Sequence, residues 1–151
     1  MDFLKSSGYE VVDLGNQQYD AGDDYPDFAA QVAQRINFDY ENSRGIVICG
    51  SGVGVDIVAN KFPSVRCGLI FNSNQAFDSR NDDDTNVLAL AADYIEPSEA
   101  KKIVTVWLST PFSEAERHVR RIKKIFRIET QNFKSDRLTL KSQAETGDEL
   151  K

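Results

Sequence analysis

Apolar residues along this chain follow two patterns: short uninterrupted runs, and longer stretches where they recur every three or four positions. Gly45 to Cys49, Cys67 to Phe71 and Asn86 to Leu90 are runs of the first kind. Each has the form of a parallel strand buried on both faces. Phe28, Ala29, Val32, Ala33 and Ile36 recur at helical spacing behind Pro26, a residue suited to a first helical turn. Pro97 to Ser109 repeats that pattern with Ala100, Ile103, Val104 and Trp107 on one face, and Glu114 to Ile128 forms a strongly charged helix. Met1 to Ser7 has the character of a helix end, stopped at Gly8, and Tyr9 to Leu14 that of a further strand, closed by Gly15 and a polar loop. Asn72 to Asp84 is a polar stretch between strands, and the Lys-, Ser-, Thr- and Glu-rich segment 131–151 is expected to be loose. Strands alternating with helices predict an α/β sheet flanked by helices, with one domain over residues 1–130.

Composition narrows the function. A chain of 151 residues, 40% hydrophobic, supplies one core. Its net charge of −6 argues against a nucleic-acid partner, since neutralising many phosphates takes a basic face. Any phosphate bound is small and locally recognised. No run of about 18 apolar residues could cross a membrane, and Met1 to Lys5 does not resemble a secretion signal, so the expected location is cytoplasmic. Cys49 and Cys67 are too few for a zinc site of paired-cysteine type, and each is weighed as a lone thiol, Cys67 as core.

The candidate chemistry lies where the first buried run ends. Cys49 leads into Gly50-Ser51-Gly52-Val53-Gly54 and then a helix, at the carboxyl end of a strand, where open α/β sheets hold their ligands. Glycines let backbone N–H groups converge on a small anion, and the same field favours a thiolate. A tight turn that merely packs helix on sheet would have the same local sequence.

The wider neighbourhood is more specific. Asp24-Tyr25-Pro26-Asp27, Ile48 to Gly54, Ala59 to Pro63, Val65-Arg66, Ser79-Arg80, Asp84 to Ala89 and Trp107 to Thr110 together resemble the type B ribose-5-phosphate isomerases, a family that includes galactose-6-phosphate isomerase subunits. The resemblance runs colinearly from about residue 3 to residue 128. It implies an open, mostly parallel, Rossmann-like sheet with helices on both faces, and aldose-ketose interconversion of a phosphorylated sugar without metal or organic cofactor. Ribose 5-phosphate and ribulose 5-phosphate are the default pair. In this picture Cys49 is the base, Gly50, Ser51, Gly52, Val53 and Gly54 cradle the enediolate, and Arg117 and Arg121 hold the phosphate. The two arginines lie four apart, on one helical face, a spacing that by itself describes a solvated basic stripe more readily than an anion grip. The family's corresponding helix reaches into a neighbour's site, which makes a homodimer or dimer of dimers the expected assembly.

Several positions depart from the family. Its first strand and Gly-Ser-Asp-His-Ala-Gly turn have no counterpart here. Asp82 and Asp83 stand where the family has histidine, the acid that opens the sugar ring, followed by asparagine. Asp82 to Asp84 also read as a solvated acidic loop. Asp93 stands where an arginine is common. These departures leave a second possibility, a catalytically impaired sugar-phosphate-binding or heteromeric partner subunit of the same fold.

Overall fold

The computed structural model describes the backbone of residues 1–145 and the side chains of residues 1–133. The chain divides into two compact units, Met1–Ser113 and Glu114–Lys151. The first contains α1 (Asp2–Ser6), α2 (Tyr25–Phe38), β1 (Gly45–Cys49), α3 (Val53–Ala59), β2 (Cys67–Leu69), α4 (Ser73–Asn81), β3 (Val87–Ala91) and α5 (Pro97–Ser109). The second is built on α6 (Glu116–Glu145).

The three strands form a parallel sheet in the order β1-β3-β2. Gly45 and Cys67 pair with Val87 on either side of β3, and Cys49 pairs with Ala91. Every residue of β3 is buried, as its unbroken apolar sequence requires. Side chains alternate across the sheet, so consecutive β3 residues serve opposite faces. Val87 and Ala89 pack with Ala29, Ala33 and Ile36 of α2 and Val55 and Ala59 of α3. Leu88 and Leu90 pack with Ala76 of α4 and Ile103, Val104 and Trp107 of α5. Each fully buried Leu or Ile side chain contributes about 1.5–3 kcal/mol, so these two layers hold the sheet between helices. The fold is the open parallel α/β sheet implied by the sequence.

Where the elements differ from expectation, the reasons are local. Tyr9–Leu14 forms no strand, although its residues favour one. A strand exists only with a ladder partner, and β1 pairs on one side alone, with β3. Ile48 of β1 is accordingly 60% exposed. Within Asn72–Asp84 lies a helix, α4, which buries only Ala76, Ser79 and Arg80 and so has no apolar stripe to announce it. Its signal is the cap: Asn72 accepts a hydrogen bond from the Gln75 amide at 2.9 Å, and the Gln75 side chain accepts one from the Phe71 amide. Finally, α6 continues beyond Ile128 to Glu145, and residues 146–151 of the segment expected to be loose lie outside the described residues.

Candidate active site

Cys49 is the last residue of β1, half-buried, and its sulfur accepts a hydrogen bond from the Gly52 amide at 3.2 Å. That bond closes the turn. It needs a left-handed backbone at Gly52 (φ 73°), and a Cβ there would run into the Leu69 side chain and stand 3.2 Å from the Ala91 nitrogen. Only glycine fits such a position comfortably. One amide of the cradle is therefore committed to the sulfur. The Val53 amide donates to the Ser51 hydroxyl at 3.3 Å, and among the described residues the amides of Ser51, Gly54 and Val55 meet no acceptor. Three unspent donors beside a sulfur are what an anionic or partly anionic oxygen would use.

Two side chains from elsewhere in the sequence close over this turn. The Tyr25 ring, at the start of α2, lies where a Gly54 side chain would be, its nearest atoms 2.6–2.8 Å from that Cβ position. The Asp93 carboxylate lies over Gly50, with Oδ2 2.5 Å from the corresponding Cβ position. Asp93 is held there by its backbone, since the Ala92 and Asp93 amides donate to the Cys49 and Gly50 carbonyls at 2.9 and 3.0 Å. Sequence patterns assign neither residue to the turn. The only hint is that these glycines are places where another group comes close.

Asp82 and Asp83 lie elsewhere. They precede β3, whose first residue pairs with Gly45, whereas Cys49 pairs with its last residue, Ala91. Four steps at about 3.3 Å each put these aspartates roughly 13 Å away along the strands, at the amino ends of the sheet. A single chain does not bring Cys49 and Asp82 together. Asp82 ends α4, its amide donating to the Asp78 carbonyl at 2.8 Å and its carboxylate accepting from Asn81 at 2.6 Å. Asp83 is exposed, and its carbonyl accepts from Arg66 at 3.1 Å. Asp84 is paired at 2.7 Å with both Arg66 and Arg80. Arg80 is buried, donates to the Thr85 and Thr110 carbonyls and lies 5.9 Å from the Trp107 ring centre. This part of the acidic run is thus a structural clasp, not a solvated loop.

Cys67 behaves as expected of a core thiol. Burial, then the neighbouring Asp56 charge and hydrogen bond, push its pKa well above the ordinary thiol range. It starts β2 at the amino end of the sheet, with β3 between it and β1, so the two free cysteines are remote from each other. Arg117 and Arg121 are exposed on α6.

Comparison with known proteins fits this arrangement. Residues 1–125 match the Ribose/Galactose Isomerase family. The chain belongs to that family. Among its ribose/galactose isomerase relatives, ribose-5-phosphate isomerase B of Mycobacterium tuberculosis is 39% identical over 122 residues, covering 81% of this chain and 75% of the relative. The solved structure of ribose-5-phosphate isomerase B from Mycoplasma genitalium with bound ribulose-5-phosphate has a TM-score of 0.82 and 43% identity, covering 85% of this chain and 84% of that one. A Thermotoga maritima ribose 5-phosphate isomerase structure gives a TM-score of 0.77 at 37% identity, covering 83% and 85%. This family member also has no helix, among its described residues, long and apolar enough to cross a membrane.

Proposed function

We propose that the chain is an aldose-ketose isomerase for a phosphorylated sugar, converting ribose 5-phosphate to ribulose 5-phosphate. The observation that carries this reading is the Cys49 sulfur, held by the Gly52 amide beside the open amides of Ser51, Gly54 and Val55. The amide orients the sulfur toward the turn, and a cysteine sulfur is a competent base once deprotonated. Cys49 would remove the proton from C2 of the open-chain aldose. The electron pair would form the C1–C2 double bond and displace the carbonyl electrons onto O1, giving an enediolate. Returning that proton to C1, while the O2 proton passes to O1, completes the ketose. The open amides of the turn would shelter the charge on oxygen, where each well-placed donor contributes about 3–4 kcal/mol.

The remaining groups would come from a second copy. Support for this is the roughly 13 Å between Cys49 and Asp82 along the sheet, which one chain cannot close. In a homodimer, Asp82 and Asp83 of one copy, with Arg117 and Arg121 for the phosphate, would complete the site around Cys49 of the other. The names of the relatives support the substrate, including the ribulose-5-phosphate bound in the Mycoplasma genitalium structure.

A specific observation favours a second reading, a binding subunit with impaired catalysis. Asp82 occupies the position where the family resemblance puts the ring-opening histidine. Turnover of ribose 5-phosphate and its calorimetric binding, measured on one preparation, separate the two readings. Turnover supports the isomerase, binding alone the partner subunit, and neither would end both.

A further inference from the structure

The amino end of the sheet, opposite the Cys49 turn, carries guanidinium groups that the chemistry above does not use. Arg44 and Arg66 are the residues just before β1 and just before β2, and both flank Asn86 at the head of β3. The Gly45 amide donates to the Asn86 carbonyl at 2.9 Å, and the Arg66 amide to Asn86 Oδ1 at 2.8 Å. Two strand spacings of about 4.8 Å put the two arginine backbones roughly 10 Å apart, within joint reach of one small ligand. Arg80 of α4 joins them through Asp84, which pairs with Arg66 and Arg80 at 2.7 Å. Among the described residues no other carboxylate pairs with any of the three, so three positive charges meet one negative charge. The crowding is felt: burial first, and then the Arg80 charge, pull the Arg44 pKa below the ordinary guanidinium value.

The donors left over have a definite shape. Arg44 is exposed and spends only Nη1, on the carbonyls of Tyr40, Glu41 and Ser43, so its Nε and Nη2 meet no acceptor among the described residues. Arg66 spends Nε and Nη2 on Asp83 and Asp84 and keeps Nη1. Two neighbouring guanidinium N–H groups form a fork that grips two oxygens of one anion. A monoanionic carboxylate would leave part of the surplus charge unmatched, whereas a phosphate dianion matches it. We infer that Arg44 and Arg66 form a phosphate-binding site at the amino end of the sheet, separate from the Cys49 turn, which takes the dianion of free phosphate or of a phosphomonoester. Arg44 holds two phosphate oxygens and Arg66 a third, while buried Arg80 contributes charge from within the core. The inference does not depend on the isomerase reading.

The test titrates the full chain with inorganic phosphate, methyl phosphate and acetate by calorimetry, with cooperative melting as the control for folding. Arg44→Gln and Arg44→Lys are placed in an Arg117→Gln chain, so that the phosphate contact proposed on α6 is weakened throughout. The Arg117→Gln chain should bind phosphate and bind acetate far less. Arg44→Gln should then weaken phosphate about ten- to a hundredfold, the worth of hydrogen bonds to a charged group, and Arg44→Lys should fall between, since lysine keeps the charge and loses the fork. Methyl phosphate that binds as phosphate does assigns the site to a phosphomonoester, and its exclusion assigns it to the free anion. Acetate that binds as tightly as phosphate, or phosphate affinity that Arg44→Gln leaves unchanged, overturns the inference. Arg44→Gln alone should leave the KM for ribose 5-phosphate at the parent value, and a KM raised by the same factor would make Arg44 part of the substrate's own phosphate grip and overturn a separate site. The calorimetric arms decide the matter even for a chain without turnover, a result that would count against the isomerase reading alone.

Discussion

Replacing Gly52 with alanine tests the turn at the point where its geometry is most demanding. The residue sits at φ 73°, a conformation that costs an L-residue about 1–2 kcal/mol. The added Cβ would meet Leu69 Cδ1, which can rotate away, and the Ala91 nitrogen and Leu90 carbonyl carbon at 3.2 Å each, which belong to the central strand and cannot. Overpacking of that kind adds about 1–3 kcal/mol. The sum predicts a loss of about 3 kcal/mol, or a roughly hundredfold shift in the unfolding equilibrium. The Gly52 amide would also swing away from the Cys49 sulfur, so turnover should fall by more than the unfolded fraction explains. Urea denaturation supplies the first quantity and steady-state assay under native conditions the second. A loss below about 1 kcal/mol would show that the turn is loose enough to accept a side chain and is not closely packed against β3.

Two further substitutions probe the rest of the molecule. Asp84→Asn keeps shape and tolerance of the left-handed backbone (φ 47°) but removes the charge shared by Arg66 and Arg80. It should cost about 2 kcal/mol in urea unfolding, less than the about 3–5 kcal/mol of a fully buried pair because the Asp84 side chain is 29% exposed, and a neutral result would contradict the clasp. Asp56 has its pKa raised above 3.8, chiefly by burial, so the folded state favours the protonated acid. That preference stabilises the fold fully below pH 3.8 and is lost as pH rises through the higher folded value. Asp56→Asn should therefore be more stable than the parent at pH 7 and approach it near pH 3, and an advantage that grows on acidification would reverse the sign of the argument.

Much of this architecture was legible because burial leaves a direct mark on sequence. The alternating layers of β3 demand an unbroken apolar run, and Pro26 and Pro97 mark the first turns of α2 and α5. Helix α4 was hidden because it buries a serine and an arginine beside one alanine, which leaves no periodic stripe. Tyr9–Leu14 misled because strand propensity describes a surface that suits a ladder, while the ladder itself needs a neighbour. The candidate site divides the same way. The Cys49 turn is a local motif and could be read directly. The place of Asp82 at the far end of the sheet depends on parallel pairing of β1 with β3, and the approach of Asp93 to Gly50 on a contact between distant loops, which no spacing rule encodes.

In the proposed isomerase the sulfur of Cys49 moves the proton. The most direct measurement of that step is the turnover of ribose 5-phosphate by Cys49→Ala, with binding followed in the same samples. A positioned base contributes about 10²–10⁴ in rate, so turnover should drop at least a hundredfold while the sugar phosphate still binds. A Cys49→Ala protein that isomerises at the parent rate would remove the thiol from the reaction.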